Sequence, residues 1–147
     1  MSERFDGFDE STERISASEG DVGRILARMR HDLETAEKLS TEAPDWSLAA
    51  AHQAIYGACV ALMAAHGYRP KVNGHHKTAI AFARVVLGDQ KELLDQADMI
   101  RRRRHRLMYG TSYVVSQDEV AAALTLARKV AEIATAVASA EVRKRKT

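Results

Sequence analysis

The stretch WSLAAAHQAIYGACVALMAAH, residues 46–66, is apolar on almost every side of a helix. A helix without a polar face is buried on all sides, so it belongs at the centre of a protein. Pro44 just before the stretch favours the first turn of a helix, and Gly67 just after it favours a helix end. The sequence therefore predicts one central helix around which the other elements pack.

Four further helices are predicted from apolar residues spaced three and four apart and from capping or helix-ending residues. They run from Ser18 to about Leu39, from Asn73 to about Leu87, from Asp89 to Gly110, and from Gln117 to about Arg143. Ser18 with Asp21, and Ser116 with Glu119, have the spacing of capping boxes. The connections are short, so the predicted fold class is all-α, a five-helix up-and-down bundle. Only Tyr113-Val114-Val115 has the alternation of a short strand.

Residues 1–17 are rich in charge and show no apolar period, so they are predicted to be a flexible, disordered N-terminal segment. Residues 18–147 are predicted to form a single helical domain, since a chain of 147 residues is too short for two comfortable cores. Cys59 is the single cysteine, which excludes an internal disulfide. We recognise no signal peptide and no membrane-spanning run, so we expect a cytoplasmic protein without a membrane partner.

Residues 100–110, IRRRRHRLMYG, place five arginines and one histidine in six consecutive positions at the end of the fourth predicted helix. The net charge is only +2, so this concentration suggests a polyanion partner. Arg104 falls four residues after Ile100, on the face that should point inward. A guanidinium is costly to bury alone, so Arg104 needs an anion, a partner chain or a cleft. The three arginines before it could form a solvated face that pairs with Asp98 or a face that contacts RNA, and the sequence leaves both interpretations open.

Three motifs of the chain together resemble a known family. Ala54-Ile55-Tyr56-Gly57-Ala58 lies in the central helix, His75-His76-Lys77 opens the third, and Arg104-His105-Arg106-Leu107-Met108-Tyr109-Gly110 ends the fourth. In this order, and over roughly residues 20–140, they are similar to the HEPN domains of prokaryotes. The resemblance implies a helical bundle whose defining motif is an arginine, four to six further residues and a histidine.

For prokaryotic HEPN domains with an intact motif, the resemblance implies metal-independent endoribonuclease activity in homodimers, without a cofactor. It also implies toxin–antitoxin or defence modules with an antitoxin-like protein partner, or non-catalytic RNA-binding modules. On this basis Arg104 would hold the scissile phosphate, His105 would position it or carry the proton, and Tyr109 would donate a hydrogen bond. The implied RNA-binding residues are the other arginines of the run, Arg101, Arg102, Arg103 and Arg106.

The motif departs from the family pattern at its last position, where Tyr109 stands in place of the histidine. A histidine exchanges protons near neutral pH, with an unperturbed pKa of about 6.5, whereas a tyrosine has one of about 10. Arg101 and His105, one helical turn apart, form an alternative pair at a spacing that is not the family's. Two functions remain open: an unusual endoribonuclease, and an inactive module that binds RNA or nucleotide or serves as a dimeric interaction domain.

The remaining candidates are interpreted structurally. His75 and His76 could bind a metal, but no set of His, Cys and carboxylate ligands has the required spacing, so no metal site is predicted. Histidines expected at the surface or with satisfied ring nitrogens are His31, His52 and His66. The basic tail, residues 143–146, is expected to complement the C-terminal dipole of the last helix, with nucleic-acid contact as the alternative.

Overall fold

The structure, a computed structural model, describes residues 2–72, 74–110 and 114–146. Its described part contains five α-helices: α1 (Glu19–Leu39), α2 (Pro44–Ala65), α3 (His75–Val86), α4 (Lys91–Tyr109) and α5 (Gln117–Lys146). A two-stranded sheet is formed by β1 (Thr12–Arg14) and β2 (Tyr68–Pro70). The predicted all-α class and the number of helices are confirmed.

Helix α2 is the centre of the bundle, as its apolar sequence predicts. It packs against all four other helices, and residues such as Ile55, Ala58 and Leu62 are fully buried. Among the described residues, α2 is the one helix that is long and apolar enough to cross a membrane by length and composition. Within its most apolar window, 67% is buried inside the bundle, which is the position of a core helix.

The helix bounds follow the capping residues at two of the predicted starts. Ser18 accepts a hydrogen bond from the Asp21 backbone N–H at 3.0 Å and the Asp21 carboxylate accepts in return, which completes the capping box of α1. The Ser116 hydroxyl accepts from the Glu119 backbone N–H at 3.1 Å, just before α5. The N-cap position of α4 is Gln90 instead of the predicted Asp89, so the helix starts one residue later than predicted. The predicted cap Asn73 lies outside the described residues.

The prediction of a disordered N-terminal segment is wrong for the residues that the structure describes. Ser2–Phe8 forms a 3-10 helix, and β1 pairs antiparallel with β2. Phe5 is buried and stacks on Phe82 of α3, with ring centroids 4.4 Å apart. Burial of aromatic rings anchors this segment, and such anchoring requires no repeating apolar pattern in the sequence.

The alternation at Tyr113-Val114-Val115 does not correspond to a strand where it can be compared. Val114 and Val115 have no strand structure, and Tyr113 lies outside the described residues. Val115 is buried and Val114 is exposed, so the alternation in the sequence reflects a connection that packs one side chain against the core. A short extended stretch becomes a strand only where a neighbour pairs with its backbone.

Candidate functional site

Three arginines of the run on α4 have carboxylate partners. Asp98 accepts from Arg101 Nε at 2.7 Å and from Arg102 Nη2 at 2.8 Å, one helical turn away. Arg103 Nε donates to Glu119 Oε2 on α5 at 2.6 Å. Burial tends to raise the pKa of Asp98, but the hydrogen bonds from the two arginines outweigh it and lower that pKa. These pairs fix one side of α4 and neutralise part of its charge.

Arg104 has a different environment. It is partly buried, and within residues 2–72, 74–110 and 114–146 no hydrogen bond or carboxylate pairs with its guanidinium. Its positive charge acts instead on two histidines, His52 of α2 and His76 of α3. Arg104 shares its partial burial with Arg101 and Arg103, so its inward position stays a prediction.

His52 and His76 form a direct contact between α2 and α3. His52 Nε2 lies 2.6 Å from His76 Nδ1, and the two rings stack with centroids 4.7 Å apart. Tyr56, one turn after His52 on α2, stacks on the His76 ring with a centroid distance of 4.2 Å. His75 meets the edge of Tyr56, and its Nδ1 contacts the Val72 carbonyl oxygen. The result is an aromatic cluster at the start of α3, beneath the arginines of α4.

Both paired histidines are neutral at neutral pH. Burial, and then the positive charges of the surrounding histidines and arginines, lower the pKa of His52 to about 3. The same causes lower the pKa of His76 to about 4. The charges of Arg101 and Arg104 contribute at both rings, so the four side chains share one electrostatic environment.

The other two predicted catalytic residues lie on the outer side of α4. His105 and Tyr109 are exposed, Tyr109 to 76%, and their rings contact each other at a centroid distance of 4.7 Å. Neither is hydrogen-bonded to Arg104 in the described part of the chain. Arg102 and Arg106 are exposed beside them. The structure therefore brings together His105 with Tyr109, and Arg104 with the histidine pair, as two separate groups.

The sequence analysis missed the histidine pair as a site. His52 was expected to be exposed or satisfied, but it is 1% exposed and its Nδ1 is buried without a partner among the described atoms. A signal was present, because His52 and Tyr56 stand four apart on an otherwise apolar helix and therefore share a face. Across the described residues, no group of three or more His, Cys, Asp or Glu side chains could hold a metal ion.

These features define an all-α bundle with a group of histidine and arginine side chains where α2, α3 and α4 meet. The family model described as "HEPN domain" matches residues 22–137, which is most of the chain. The chain therefore belongs to the HEPN domain family, and this membership suggests a nuclease, RNA-related or nucleotide-binding role in general terms. Neither the curated proteins nor the solved structures compared with the chain gave a match.

Proposed function

We propose that this HEPN protein acts on RNA and that Arg104 binds a phosphate of the RNA backbone. The observation that carries the proposal is the partly buried Arg104 guanidinium, which has no carboxylate partner among the described residues and whose charge, together with burial, lowers the pKa of His52 and His76. A cation in such a place has been partly desolvated without a counter-ion, and a phosphate oxyanion would supply one. Arginine matches phosphate geometry with two parallel N–H donors.

The exposed arginines of the run support RNA over a small anion. Arg102 and Arg106 extend the positive surface outward from Arg104 along α4. A row of cations attracts the charged backbone of a nucleic acid over several phosphates. Asp98 and Glu119 neutralise part of this row, so we expect moderate affinity with a clear salt dependence.

The binding test compares two arginines that carry the same charge. Fluorescence anisotropy with labelled single-stranded RNA is measured over a series of salt concentrations for the wild type, Arg104→Gln and Arg143→Gln. We expect Arg104→Gln to weaken binding and to reduce the salt slope by about 0.7, the value for one phosphate contact on a single strand. Arg143→Gln, on the exposed end of α5, should behave as the wild type. A wild type that does not bind RNA at low salt contradicts the proposal.

We propose further that the bound RNA is cleaved without a metal ion. In that reaction the 2′-oxygen attacks the adjacent phosphorus, the bond to the 5′-oxygen breaks, and the proton of the 2′-hydroxyl is transferred to the leaving 5′-oxygen through protein side chains or water. The Arg104 cation would stabilise the charge that develops on the phosphorus oxygens. His105, which lies with Tyr109 on the outer side of α4, would have to reach this phosphate to serve as the proton carrier.

Incubation of the purified protein with total RNA, with and without EDTA, tests this reaction. We expect cleavage in both conditions and none with Arg104→Gln. Tyr109→His places an imidazole at the family's motif position, so it should increase the rate, since imidazole is the better proton carrier near neutral pH. If both the wild type and a folded Tyr109→His protein are inert on RNA that they bind, the chain is an inactive module that binds RNA or nucleotide.

We propose that the protein acts as a homodimer in which the exposed end of α4 contributes to the interface. Met108 and Tyr109 are large side chains exposed next to each other at this end of the helix. Exposed apolar residues that cluster on one element favour association. Light scattering at micromolar concentration should give the mass of a dimer, and Met108→Lys should shift it toward the monomer. An antitoxin-like protein partner is the second candidate for this surface, and co-purification of a monomeric chain with one protein would support it.

A further inference from the structure

A pocket of about 460 Å³ lies beside the C-terminal end of α2, where the N-terminal segment meets the end of α5. Three packed rings form one wall of this pocket. The ring centroid of Phe5 is 5.3 Å from that of His66 and 5.5 Å from that of Tyr68. Small-molecule sites have volumes of about 300–1,000 Å³, so the pocket is large enough for a small ligand.

The charged side chains that line the pocket are mostly positive. They are four cations and one carboxylate: Arg4, Arg14, Lys144, Arg145 and Glu141. Burial lowers the pKa of His66 in spite of the nearby Glu141 carboxylate, so this ring is mainly neutral near pH 7. Four positive charges and one negative charge leave the pocket with a net charge of +3. Like charges gathered in one place repel each other, and a bound anion would relieve that repulsion.

Three of the four cations are held in position by neutral groups. Arg4 Nη2 donates to a carbonyl oxygen near the end of α3 at 3.2 Å, and Arg145 Nη1 donates to the last carbonyl of α2 at 2.9 Å. The guanidinium carbon of Arg14 lies 4.6 Å from the ring centroid of Tyr68. None of the three has a carboxylate partner in the described part of the chain. They are thus ordered without being neutralised, which reduces the entropy cost of binding an anion.

The neighbouring Arg69 has the opposite environment. In the register of the small sheet, Arg14 stands opposite Tyr68, and Glu13 stands opposite Arg69. Arg69 Nη2 donates to Glu13 Oε2 at 2.7 Å, so its charge is compensated, and it is not among the residues that line the pocket. Successive residues of a strand point to opposite faces. Of these two arginines, Arg14 is therefore the one that adds an uncompensated charge to the pocket.

The charged lining of the pocket comes from the two ends of the chain. All five charged side chains lie outside residues 22–137, the part that the HEPN family model matches. Membership of the family therefore implies nothing about this pocket, and its ligand has to be inferred from its own chemistry.

We propose that this pocket binds a diphosphate group, either as the free ion or as part of a small organic diphosphate. Guanidinium groups match phosphate oxygens with paired N–H donors, and linked phosphates offer several negative charges to several cations at once. The cations converge on one concave site from the 3-10 helix, β1 and α5. Such convergence suits a compact ligand, whereas a row of cations along one helix suits an extended RNA backbone.

Isothermal titration calorimetry at low salt tests the ligand on the full chain with orthophosphate, pyrophosphate, AMP and ADP. We expect a diphosphate to bind at least about tenfold more tightly than its monophosphate counterpart, because the second phosphate adds charge-assisted hydrogen bonds. Pyrophosphate binding without ADP binding identifies the free ion, and ADP binding identifies an organic carrier. The inference is overturned if neither diphosphate binds, or if each binds no more tightly than its monophosphate.

Variants of the lining test the site. Arg14→Gln and Arg4→Gln should each weaken binding about ten- to hundredfold, since each removes hydrogen bonds to a charged group. Arg69→Gln is the matched control in the same small sheet and should bind as the wild type does. Glu141→Gln removes the one carboxylate and should strengthen binding severalfold, a gain that a damaged fold would not produce. Circular dichroism verifies each fold. Wild-type affinity in folded Arg14→Gln and Arg4→Gln overturns the inference, and so does an unchanged or weaker affinity in folded Glu141→Gln.

Nuclear magnetic resonance of the histidine rings locates the ligand. Pyrophosphate or ADP should shift the ring signals of His66 in the pocket and leave those of His105, beside the arginine run, unchanged. A shift at His105 without one at His66 overturns the inference, because the diphosphate would then bind on α4. Displacement of the diphosphate from His66 by single-stranded RNA also overturns it, since the pocket would then take nucleic acid. A shift at His66 in a protein that does not bind RNA supports the inference while the proposed function fails.

Discussion

The arginine run on α4 and the basic end of α5 have similar compositions, but Arg104 of the run differs in its surroundings from the cations of α5. At the end of α5, Arg143 Nε pairs with Glu19 of α1 at 3.3 Å, and Arg145 Nη1 donates to the Ala65 carbonyl oxygen at 2.9 Å. These cations connect α5 to the rest of the bundle. Arg104 makes no such connection among the described residues, and its charge, together with burial, lowers the pKa of His52 and His76 instead. The partners of a guanidinium, rather than the number of cations in a row, therefore distinguish Arg145 from Arg104.

The two regions also differ in what fills the space next to the cations. Ala65 is the last residue of α2, and its carbonyl is one of those that a helix end leaves without an intrahelical donor. Arg145 therefore complements the dipole of α2, whereas the sequence analysis assigned the tail to the dipole of its own helix. In the α4 region, two histidines and a tyrosine of α2 and α3 lie near the arginines, in place of a helix end. At the C-terminal end of α2, Arg145 donates to a carbonyl that the helix leaves free. The part of α2 near α4 instead has a buried histidine nitrogen without a partner among the described atoms.

The largest expected effect comes from Phe82 of α3, which lies among the aromatic rings near the C-terminal end of α5. Its ring stacks on Phe5 and contacts Tyr68 and Phe8. Phe82→Ala should lower the free energy of unfolding by about 3–5 kcal/mol, the usual cost of emptying an aromatic core position. Urea denaturation measures this loss. If the two basic regions act independently, the folded variant binds RNA with the wild-type affinity. A large loss of affinity would show that the two regions are coupled.

The second effect is on the pH dependence of stability. An unfolded histidine takes up a proton near its ordinary pKa of about 6.5, whereas His52 in the folded protein has a pKa of about 3. Between these values the unfolded state binds more protons, so the free energy of unfolding falls as the pH falls. For His52 the slope should approach 1.4 kcal/mol per pH unit, an order-of-magnitude value that follows from about 1.36 kcal/mol per unit of pKa. Above pH 6.5 its contribution is constant.

The control for this prediction is His66 at the other end of α2. Burial also lowers the pKa of His66, but the Glu141 carboxylate, 3.9 Å away, opposes the shift. The slope is measured from denaturation midpoints between about pH 6 and pH 5, because most carboxylates titrate below this pH range. There His52→Gln should flatten the slope more than His66→Gln does. Equal slopes in the two variants would contradict the assigned environments.

The sequence predicted the helical frame because periodic apolar residues and capping side chains act locally. It placed Arg104 inward by counting one turn from Ile100, and in the structure Arg104 is partly buried, as Arg101 and Arg103 are. It missed the N-terminal segment, since Phe5 stabilises that segment through a contact with Phe82, far away along the chain. It missed the histidine pair for the same reason, because His52 and His76 meet only when α3 packs on α2. Contacts between distant segments are not encoded in any local pattern.

A smaller effect is expected at Gly67, where the α5 end packs against the turn after α2. Gly67 has φ of +88°, and an added Cβ would lie 2.9 Å from the Arg145 guanidinium. Gly67→Ala should cost about 1–2 kcal/mol, because L-residues disfavour the left-handed region. Gly23 is the matched control, since it lies within α1 and an added Cβ meets nothing within 4 Å. Gly23→Ala should instead stabilise the protein by about 0.5–1 kcal/mol, as thermal or urea unfolding would show.

The smallest effect is expected from Arg143, and it completes the comparison with Arg104. Arg143 and Glu19 pair at 3.3 Å with side chains that are 65% and 48% exposed. Exposed pairs of this kind contribute about 0.2–1 kcal/mol at most, and salt reduces that value. Arg143→Ala should therefore change the urea midpoint only slightly, with the difference disappearing at high salt. Its affinity for RNA should equal that of the wild type over the whole salt series. A loss of RNA affinity as large as that of Arg104→Gln would mean that both basic regions contact RNA, and the distinction drawn from their surroundings would fail.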